Sequence, residues 1–72
     1  MKTDAFVSLV MAEITKSPDI TDTSFLRSAV RAIGRKFESG SIDTLGVLTE
    51  IERLLPWQLS RDIKKGIEKA LR

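Results

Sequence analysis

Cysteine, histidine and tyrosine are all absent from this chain of 72 residues. Without cysteine, neither a disulfide nor a thiolate metal site can supplement the core, so packing alone must hold the fold. Without histidine, the near-neutral general base and the commonest zinc and haem ligand are missing, and without tyrosine so is the phenolic acid. Carboxylates, lysines and arginines are the acid–base groups that remain. Serine occurs at several positions, but as a nucleophile it would need a lysine base in a shaped pocket, which four short helices rarely enclose. The chain is therefore read as non-enzymatic, with no catalytic, cofactor-binding or metal-binding residue.

Glycine is scarce and placed where it cannot cradle a phosphate. Gly34, Gly40, Gly46 and Gly66 lack the dinucleotide-binding spacing, and none precedes Lys-Ser or Lys-Thr. Long apolar runs are missing too. The longest, Ala5 to Ile14, is broken by Ser8 and Glu13 and falls short of the roughly 20 residues that span a bilayer. Asp4 follows Lys2 closely and no small-residue cleavage site closes the run, so no signal peptide is expected. The expected location is the cytoplasm, or a host's cytoplasm for a viral protein.

Hydrophobic residues make up 42% of the chain and charged residues 31%, the balance of a folded domain and not of a disordered tail. At this length one domain, residues 1–72, is the only sensible count. Its hydrophobic pattern is helical throughout, with no period-2 alternation and no Asn-Gly or Asp-Gly hairpin signal. A first helix is expected from Thr3 or Asp4 to near Lys16, since Pro18 biases Ser17 away from helical geometry. Phe6, Val7, Val10, Met11 and Ile14 form one apolar face of it. Ala5, Leu9 and Ala12 form a second. A second helix runs from about Asp22 or Thr23 to Glu38, burying Phe25, Leu26, Ala29, Val30, Ile33 and Phe37. Ser39-Gly40-Ser41 is a stop-and-restart signal.

The third helix is expected over about Ile42 to Leu55, with Val47, Leu48, Ile51, Leu54 and Leu55 inward and Asp43 in its first turn, where the helix dipole favours an acid. Pro56 then opens a fourth helix that ends at Leu71, its inward stripe being Leu59, Ile63, Ile67, Ala70 and Leu71. The fold class is all-α, a compact bundle of about four short helices. Leu45-Gly46-Val47-Leu48 has the composition of a helix-turn-helix turn, but Ser39-Gly40-Ser41 stand where that motif needs an intact first helix.

The net charge is only +2, yet it is unevenly distributed. Arg27, Arg31 and Arg35 follow an i, i+4, i+8 spacing, and Arg61, Lys65, Lys69 and Arg72 repeat it, so each set lines one outer helix face. Such rows either contact phosphates along a nucleic acid or stand as solvated faces that pair with acids. Glu38 and Glu68 interrupt them. Asp19 and Asp22 read as helix caps, because their loop lacks the ligand density and central glycine of a calcium site. Glu50 and Glu52 project about 200° apart on a helix and do not converge. Trp57, the sole tryptophan, either caps the core or serves as an aromatic anchor for a partner.

A small core combined with the second apolar face, Ala5, Leu9 and Ala12, predicts a homodimer or larger assembly. The expected function is a protein-interaction module, a regulator, inhibitor or adaptor. A small nucleic-acid-binding protein using the basic faces is the alternative.

Overall fold

Where each helix starts is decided by which side chain can satisfy its orphan backbone N–H groups. The computed structural model describes residues 1–56 and 59–72 and contains four helices: α1 (Thr3–Ile14), α2 (Thr23–Glu38), α3 (Thr44–Leu54) and α4 (Arg61–Ala70). Three of them start on a side-chain cap. Asp22 accepts a hydrogen bond from the Phe25 N–H, Asp43 from the Gly46 N–H at 2.8 Å, and Ser60 from the Ile63 N–H at 3.2 Å. Asp43 is thus the cap itself and not, as its sequence position suggests, a first-turn acid.

α1 is the exception. Its N-cap is Lys2, which offers no cap bond, while the Thr3 hydroxyl donates instead to the Glu38 carboxylate at the far end of α2. A tertiary contact has taken the place of the expected Thr3 or Asp4 cap. Just beyond that same end of α2, Gly40 takes φ +80°. The Ser41 N–H then reaches the Lys36 carbonyl at 2.9 Å and the Gly40 N–H the Phe37 carbonyl at 3.1 Å, closing the helix in a Schellman turn.

The largest departure from the sequence reading lies at Pro56. It does not open the fourth helix: Pro56 is in a turn and α4 begins at Arg61. The Ser60 hydroxyl wins the start, because a capping oxygen satisfies a donor that proline only does without. Trp57 lies outside the described residues.

α1 packs against α2 and α4, and α3 packs against the same two, so the four helices form a closed ring around one core. At its centre Phe6, Val10, Ile14, Val30, Val47, Ile51 and Ile67 are fully buried. α1 supplies Phe6, Val7, Val10, Met11 and Ile14, the face expected for it. Phe25 departs from expectation and is 63% exposed. At about 100° per residue it sits roughly 110° from the middle of the arc formed by Leu26, Val30, Ile33 and Phe37, too far round to reach the core. Ala29, Leu48, Leu54, Leu59 and Ala70 are half-buried at the margin.

Two glycines let helices approach closely, with opposite tolerance for substitution. A Cβ on Gly34 of α2 would lie 2.7 Å from Cδ1 of Phe6, whose ring is buried and packed against Phe37 at a centroid distance of 5.5 Å. A Cβ on Gly66 of α4 would meet only the carboxylate of Glu13, which can swing away. Gly34→Ala is therefore expected to destabilise by about 1–3 kcal/mol through overpacking. Gly66→Ala should be neutral or stabilise by up to about 1 kcal/mol through helix propensity. Urea denaturation reads both; stabilisation by Gly34→Ala would contradict the packing described. The same assay should show Asp43→Ala costing about 1 kcal/mol for the lost cap.

Candidate functional site

The described residues gather no enclosed cluster of polar side chains, so the candidate site is a set of surfaces, and each is built from helical phase. Along α1, Ala5, Leu9 and Ala12 fall within an arc of about 60° on the side away from the core. All three are exposed, and Leu9 keeps 39% of its surface in water. The face expected for self-association is thus an open, narrow apolar strip in this chain, with exposed Lys2 just before the helix and Lys16 just beyond it. Lys16 pairs with Glu13 at 2.9 Å and remains 65% exposed.

Beside the Lys16 end, α1 and α4 diverge to leave an open cleft of about 870 Å³. Pro18, Leu59 and Ala70 give it apolar walls, Lys16 and Lys69 bring positive charge, and Glu13, Asp19 and Asp62 bring negative charge. Two further apolar side chains stand out elsewhere. Phe25 edges a smaller hollow with Ile20, Leu26 and Leu54, and Leu45, on the first turn of α3, is 72% exposed. Leu45 was not singled out by sequence. Its signal was present all the same: it lies on the side of α3 opposite Val47 and Ile51.

The two basic rows fare differently. On α2, Arg31 donates to Asp4 of α1 at 2.7 Å, while Arg27 and Arg35 are exposed and enter no ion pair among the described residues. The row is split at its middle by a contact inside the molecule. On α4, Arg61, Lys65 and Lys69 are exposed and outside any ion pair among the described residues, whereas Arg72 closes on Glu68 at 2.9 Å. Lys64, on the inner edge of α4, binds Glu52 of α3 at 2.9 Å. The structure does not bring the two rows together as one patch: α2 and α4 make no contact and sit on opposite sides of the ring.

Among the described residues no group of three acidic or metal-ligating side chains gathers, and no helix is long and apolar enough to cross a membrane. No buried side-chain polar atom is left without a partner among them. Comparison with protein-family models, with curated proteins and with solved structures finds no match to this chain.

The Asp4–Arg31 bridge is solvent-exposed, Asp4 at 89%, so it contributes little to stability. Replacing Arg27, Arg31 and Arg35 together by glutamine should leave circular-dichroism helicity unchanged and move the unfolding free energy by less than about 1 kcal/mol. A loss of more than about 2 kcal/mol would show that the row holds the fold together.

Proposed function

We propose that the chain is a small non-enzymatic protein-interaction module, a regulator, inhibitor or adaptor that binds a protein partner through its helical surfaces and acts in the cytoplasm. The observation that carries this reading is the placement of its exposed apolar side chains. Leu9, Phe25 and Leu45 each lie on a different helix, each at a phase facing away from a core already filled by their neighbours. Burying such side chains in a partner recovers about 25 cal/mol for each Å² of apolar surface removed from water.

A nucleic-acid-binding protein is the second reading, favoured by the exposed row Arg61, Lys65 and Lys69 on α4, which enters no ion pair among the described residues. Asp62 and Glu68 flank that row on the same helix and weaken its field for a uniform polyanion. The two basic rows also lie on helices that do not touch, so they form no continuous positive face.

Affinity capture with the tagged chain, compared with Leu9→Ser, Phe25→Ser and Leu45→Ser variants, tests the reading. A specific protein should be retained by the wild type and lost by at least one variant whose helicity is intact. Anisotropy titration on DNA and RNA at two salt concentrations should show no nanomolar complex. A nanomolar complex whose affinity falls steeply with salt, and which replacement of Arg61, Lys65 and Lys69 by glutamine abolishes, would reverse the order of the two readings. Light scattering at high micromolar concentration tests whether the chain also associates with itself.

A further inference from the structure

We draw no further inference here: the strongest candidate, the exposed cationic row Arg61, Lys65 and Lys69 on α4, shares its helix with Asp62 and Glu68 and its adjoining cleft with Glu13 and Asp19, so its charge selects no one occupant and nothing in the structure shows what covers it.

Discussion

The contact on which the rest of this fold depends is the ring of Phe6 against the bare backbone of Gly34. It lets α1 and α2 come together closely enough for Phe6 to reach Phe37 and fill the centre of the ring. α1 starts without a side-chain cap and spends its first hydroxyl on the far end of α2, so little at its own terminus holds it helical. Its place is fixed by the five side chains it buries. With no disulfide or thiolate metal site to assist, removing that face would leave α2 and α4 with no shared neighbour but α3.

A helix so committed on one side leaves its other side free, and that division gives the molecule its functional character. The inward face of α1 is filled within the single chain, and the outward face carries an apolar centre, Leu9, that the described residues leave 39% exposed. Phe25 and Leu45 repeat the pattern on a smaller scale at the first turns of α2 and α3. Charged side chains are treated differently. Several are absorbed by contacts inside the molecule, Arg31 with Asp4 and Lys64 with Glu52. What remains of the basic rows is spread over opposite sides of the ring. The apolar exposures therefore shape the functional reading more than the positive charge does.

Most of the architecture was legible in the sequence because it rests on periodicity. The apolar repeats of α1, α2 and α4 have a single inward solution, and Gly40 between two serines marks a helix stop that needs a positive φ. The errors fall where two local signals compete. Pro56 and Ser60 can each begin a helix, and only the geometry of the connection from α3 decides in favour of the serine. Phe25 is a large apolar side chain beside a core position, yet one residue of helix turns it about 100° away. The close approach at Gly34 was not legible, since a helical glycine looks the same in sequence whether its missing Cβ leaves open space or a phenyl ring. Of the surfaces, the α1 strip could be read directly from phase.

The central claim is that α1 completes the core of a single chain with one face and leaves the other for a partner. Thermal unfolding of the wild type and of Leu9→Asp, each over a hundredfold range of protein concentration, tests it most directly. The account predicts midpoints that do not change with concentration and that differ between the two proteins by only a few degrees, as for an exposed position. A wild-type midpoint that rises with concentration, or a Leu9→Asp chain that fails to fold, would show that the outward face of α1 belongs to the fold itself.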